Sequence, residues 1–223
     1  SPFWVPLYYY MEGSIIEDIH MDGAKADAPE ADGAGGNNLV NTYHSSGIAI
    51  CRAGSGSAIN NVIADSFNNA SFEFGSGTPV TMYNCRGFPA NYASVWMRGE
   101  GQIRIYGLEV DDSPTAILGA EEGFSDENGG YIFTPGLKGG CWGLKIESGT
   151  NAAMYRKGTM ALDSGGWTNF IISGLQMAGV NSYPEGIARC KPFPAGFTST
   201  SSWIKVEGLS VFGYYRTLMH HAD

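Results

Sequence analysis

The sequence predicts an all-β chain, a right-handed, single-stranded parallel β-helix of about seven coils, each about 23 residues long with loop insertions. Three observations point there. Short alternations of apolar and polar residues recur along the chain, and each slips by one residue at a Gly, Asn or Asp. The slip residues Asn61, Asn84 and Gly107 follow one another at intervals of 23 residues. The 32 glycines are scattered between short apolar runs, as in a chain with many turns, and a hydrophobic content of 43% excludes disorder.

Taken in order, residues 1–13 read as an apolar cap or lead-in, and residues 14–223 as one β-helix domain. The opening SPFWVPLYYY carries two prolines and five aromatics and no positive leader region, so it is expected to lie as an irregular lid on one end of the stack. The repeats follow as SIIEDIHM (14–21), SAINNVIA (57–64), VTMYNCRG (80–87), IRIYGLEV (103–110), a weaker GGCWGLKI (139–146), FIISGLQM (170–177) and IKVEGLSV (204–211). Alternation with a period of two is a strand with one buried face. The phase slip is a bend between two strands, where Gly, Asn or Asp tolerates positive φ. The bend residues are Asp18, Asn61, Asn84, Gly107, Gly143, Gly174 and Gly208.

Counting from the bend, the inward positions agree. Two before it stand Ile16, Ile59, Met82, Ile105, Cys141, Ile172 and Val206; one after it stand Ile19, Val62, Cys85, Leu108, Leu144, Leu175 and Leu209. Three after it every residue is apolar except Gly87. A third short strand per coil is expected at 48–50, 72–74, 95–97 and 116–118. Residues 23–38, 119–140, 152–166 and 179–200 read as loop insertions, the segments that most often carry function on a rigid scaffold.

The pattern apolar–x–apolar–x–Gly–Leu–x–apolar in IRIYGLEV, FIISGLQM and IKVEGLSV resembles the pectin-lyase-like β-helix superfamily, over roughly residues 14–220. Coils of irregular length, an acidic charge and abundant Gly are closest in character to bacteriophage tailspike and tail-fibre modules. That resemblance implies an extracellular or virion protein, a bacterial cell-surface polysaccharide as ligand, and a homotrimer. The catalytic motifs of the superfamily do not carry over. Of the polygalacturonase pattern only the pair Asp111-Asp112 is present, and the pectate-lyase segments are absent.

The formal charge of −9 argues against nucleic acid, whose phosphates need the opposite sign, and against anionic lipid. No run of about 20 apolar residues exists to insert into a membrane. Cys51, Cys85, Cys141 and Cys190 lack zinc-ligand spacing, and Cys85 and Cys141 fall on inward positions as small hydrophobes.

Outward positions supply the candidate site. Tyr83, Tyr106 and Trp142 precede the bend on successive coils, about 4.8 Å apart, and form an aromatic strip. Such a strip suits sugar rings, or packing by a neighbouring subunit or loop, which is what large exposed apolar patches more often signify. Arg86, two after the bend, joins the candidate binding set and also starts a line of alternating charge, Arg86–Glu109–Lys145. Four after the bend, Asp111 and Glu147 are neighbours, with Asp112 beside them. Paired carboxylates suit acid/base cleavage of a glycoside, or a hard cation such as calcium, or simple turn capping. Crowding of like charges leads us to expect one raised pKa. No cofactor is otherwise implied. Three functions follow: a tailspike-like module that binds polysaccharide, with or without cleaving it, a non-catalytic structural or adhesive β-helix, and a stand-alone polysaccharide lyase or glycoside hydrolase.

Overall fold

The computed structural model describes residues 7–11, 13–23, 46–53, 56–65, 67, 70–74, 79–87, 93–97, 101–111, 113, 115–119, 124–125, 131–132, 137–148, 160–164, 169–182, 188–190 and 203–214. Among these residues every regular element is a strand.

The strands run in chain order as follows: β1 (Leu7–Met11), β2 (Ile15–Glu17), β3 (His20–Asp22), β4 (Ile48–Ala53), β5 (Ser57–Asn60), β6 (Ile63–Asp65), β7 (Ala70–Phe74), β8 (Val80–Gly87), β9 (Ala93–Met97), β10 (Gly101–Asp111) and β11 (Thr115–Leu118). After a two-residue antiparallel pair, β12 (Phe124–Ser125) and β13 (Tyr131–Ile132), come β14 (Leu137–Ser148), β15 (Met160–Ser164), β16 (Asn169–Ser173), β17 (Gln176–Ser182), β18 (Ala188–Cys190), β19 (Trp203–Glu207) and β20 (Ser210–Tyr214). The chain alternates between two parallel sheets. One has seven strands, ordered β1-β4-β7-β9-β11-β15-β18. The other has eleven and carries the repeats, ordered β2-β5-β8-β10-β14-β16-β19, with β3, β6, β17 and β20 pairing alongside. The architecture is compatible with a parallel β-helix.

Register and burial follow the alternation. Ile16, Ile59, Met82, Ile105, Cys141, Ile172 and Val206 are consecutive register partners across the larger sheet. The five in the middle are fully buried, whereas Ile16 and Val206 in the terminal repeats are half-buried. Ile19 and Leu209, expected inside, are 37% and 39% exposed. Both sit in the first and last repeats, where the described strands offer a neighbour on one side only. One apolar cluster takes Phe72, Phe74, Val95 and Ile117 from the smaller sheet and Ile59, Met82, Leu108 and Phe170 from the larger, so both sheets share a core.

All seven bend residues have positive φ, from 49° at Asn84 to 75° at Gly143. Asp18, Asn61 and Asn84 adopt it despite their Cβ atoms, as short polar side chains that bond locally can. Asn61 Nδ2 donates to Asp18 Oδ1 at 2.7 Å. In β8, β10 and β14 pairing continues on both sides of the bend, so what the alternation presents as two strands is one strand there.

Gly87, the exception among inward residues, has a steric reason. A Cβ there would lie 2.8 Å from Ser94 Cβ, and Ser94 Oγ shares a 2.8 Å hydrogen bond with Ser113 Oγ. Buried serines of the opposite flank occupy the volume that an apolar side chain fills in the other repeats. Four strands lie inside segments expected to be loops: the paired β12 and β13 within 119–140, β15 within 152–166, pairing with β11, and β18 within 179–200, pairing with β15. The lead-in likewise contains β1, which pairs in parallel with β4.

Candidate functional site

The exposed face of the larger sheet is built by the positions that alternate with the core. Ile105 and Leu108 are fully buried and flank the Gly107 bend. Tyr106 must therefore point outward, and register places it between Tyr83 of β8 and Trp142 of β14. The three rings form a continuous stack. Tyr83 and Tyr106 have centroids 5.2 Å apart and planes inclined by 13°; Tyr106 and Trp142 are 5.0 Å apart and inclined by 14°. Tyr83 and Tyr106 are 43% and 37% exposed, and Trp142 is half-buried.

The geometry limits how a ligand meets this stack. Nearly parallel rings at these separations leave no space for another ring between them. What they offer is a ridge of ring edges and, at the ends, the outer faces of Tyr83 and Trp142, which border Asn60 and Ser173 in register. Trp142 leans back along its strand: a Cβ on Gly140 would come within 2.7 Å of Trp142 Cη2. Gly140 thus lets the indole lie close over the backbone.

Beyond the bend the charged line is present as expected. Arg86 Nε lies 3.5 Å from Glu109 Oε2, and Lys145 Nζ lies 3.9 Å from Glu109 Oε1. Lys145 also reaches along its own strand to Glu147 Oε1 at 2.8 Å. Arg86, placed in the binding set from sequence, is therefore already engaged with a carboxylate.

Asp111 and Glu147 are register partners, as the repeat requires. The expected raised pKa does not hold for Glu147. Its hydrogen bond from Lys145, reinforced by that ammonium's charge, keeps its carboxyl below the ordinary range. The same contact, with Glu109 adding to it, raises Lys145. Alternation places Lys145 and Glu147 on one face two residues apart, which brings the ammonium within hydrogen-bond reach of the carboxylate. Glu147 is therefore ionised at neutral pH, a state suited to a base or an ion-pair partner rather than to a proton donor.

Asp112 lies outside the described residues, as do Glu121, Glu122, Asp126 and Glu127 of the acidic insertion and His44, His220 and His221. Among the described residues no group of three or more His, Cys, Asp or Glu could hold a metal ion, so Asp111 and Glu147 alone do not make a calcium centre. Cys85 and Cys141 are free and buried; burial raises both thiols, and neither is poised as a nucleophile.

Arg104 and Lys138 were not singled out in the sequence. They stand two and four residues before the outward aromatics Tyr106 and Trp142, so the same alternation that finds the stack also puts them on its face, where both are exposed.

No protein-family model, no curated protein and no solved structure matches the chain. What the site can do therefore follows from its own geometry.

Proposed function

We propose that the chain is a pectin-lyase-like, right-handed parallel β-helix of about seven coils of about 23 residues that binds bacterial cell-surface polysaccharide, as an extracellular or virion module of tailspike character. The observation that carries this is the exposed Tyr83–Tyr106–Trp142 stack on a rigid parallel sheet. An ordered row of aromatic side chains held by strand register loses little conformational entropy on binding. A glycan meets it along the ring edges and on the outer faces beside Asn60 and Ser173, where polar groups border apolar ones. Binding is favoured over cleavage, because Glu147 is already engaged by Lys145.

A second function is supported by the shape of the same stack. A ridge of ring edges also suits a groove on another copy of the chain, which makes the strip an assembly surface of a homotrimer.

A glycan array, followed by assay of new reducing ends on every hit, separates these functions. Hits without released ends are expected. Hits with release would restore Asp111, Asp112 and Glu147 as catalytic candidates for a lyase or hydrolase. An array without hits would leave only assembly.

A further inference from the structure

The exposed face of the larger sheet is divided by the line of bends into two flanks of different charge. On the far flank the charges are mutually satisfied through Arg86, Glu109, Lys145 and Glu147. On the near flank, which carries the aromatic stack, alternation along β8, β10 and β14 sets Thr81, Gln102, Arg104 and Lys138 beside the rings. Those three strands contribute two cations and no carboxylate to that flank, in a chain whose formal charge is −9.

Arg104 is the centre of this arrangement. Its register partners are Thr81 and Gly140, neither of which carries a charge. Among the described residues no carboxylate pairs with it, whereas Arg86, Lys145 and Lys205 each have one within 4 Å. It stands two residues before Tyr106 on the same face, next to the backbone over which Trp142 leans. A guanidinium left unpaired beside an apolar ridge can bind an anion through two parallel hydrogen bonds.

We propose that the near flank selects an acidic glycan, with a carboxylate on the saccharide bound by Arg104, while the sugar ring rests on the edge of Tyr106 and the end face of Trp142. This rests on the polysaccharide reading above and adds the charge of the ligand to it. Local charge complementarity against an opposing net charge also confers selectivity: the overall field repels polyanions in general, and the flank accepts those that offer a ring together with the charge.

The test is affinity electrophoresis of the whole chain through gels containing hyaluronan, alginate, their carboxyl-reduced counterparts or single-stranded DNA. Retardation by at least one acidic glycan is expected, with at least a tenfold loss on carboxyl reduction and a comparable loss in Arg104→Gln. Lys205→Gln, at a cation already paired with Glu207 and two strands away from Trp142, should lose less than threefold. Circular dichroism of both variants checks that they fold, and Arg104→Lys, which keeps the charge without the planar fork, should recover part of the binding. Equal retardation by native and carboxyl-reduced glycans would overturn the acidic preference and leave polysaccharide binding in place. Retardation by neither would overturn both. Equal retardation by DNA would show a general polyanion surface and overturn the selectivity.

Discussion

Ile105 lies at the centre of the buried register line, fully enclosed between Met82 and Cys141. Truncation to Ala leaves a void that neighbours held in strand register cannot fill, so urea unfolding should show a loss of about 2–5 kcal/mol. The bends make a different demand. Gly107 has φ 73°, and a Cβ there would lie 3.0 Å from Asn84 Oδ1. A β-branched residue meets both the left-handed strain, about 1–2 kcal/mol, and that contact. Asn tolerates the conformation and extends the side-chain bonding seen between Asn61 and Asp18. Gly107→Val should therefore lower the melting temperature more than Gly107→Asn. Glu147 supplies a pH test. Its folded carboxyl titrates below the ordinary value, so its small contribution to stability is present above the unfolded carboxylate pKa and is lost as pH falls through the folded one. In Lys145→Met the Glu147 titration, followed by NMR, should move up towards the ordinary carboxylate range. An unchanged titration would assign the shift to something other than this pair.

At the scale of the element, the inward ladder, the bends and the aromatic strip were legible because each depends on local alternation and on one small residue. The rest depends on contacts that alternation does not encode. β15 and β18 are short and lie in Gly- and Pro-rich surroundings; β15 buries Ala161 and Leu162, and its pairing with β11 and β18 sets it in the smaller sheet. The site was legible in position but not in electrostatics. The register partnership of Asp111 and Glu147 could be read from the repeat, whereas the dominance of Lys145 over Glu147 follows from side-chain reach along one strand. Gly87 makes the same point for packing, since its partners Ser71 and Ser94 belong to the other sheet. Gly87→Ala should destabilise the chain by about 1–3 kcal/mol through overpacking. Adding Ser94→Gly should return part of that loss in a double-mutant cycle, because the two positions share one volume. Strict additivity would mean that they do not.

For the whole molecule, the aromatic stack is the feature that joins fold to function, since it exists only if the repeats are in register and serves a ligand only if it stays uncovered. Sedimentation velocity at micromolar concentration should report three chains if the strip is an assembly surface, and a monomer leaves the strip available to a glycan. The most direct measurement is calorimetric titration of an array-selected glycan into the wild type and into Tyr106→Ala, with melting curves for both. Tyr106 is partly exposed, and removing it breaks the stack at its middle while sparing the core. Affinity should fall by at least tenfold, with a loss of stability of only about 1–3 kcal/mol, the worth of two aromatic pairs. Unchanged affinity in a folded Tyr106→Ala protein would contradict the assignment of the stack as the binding face.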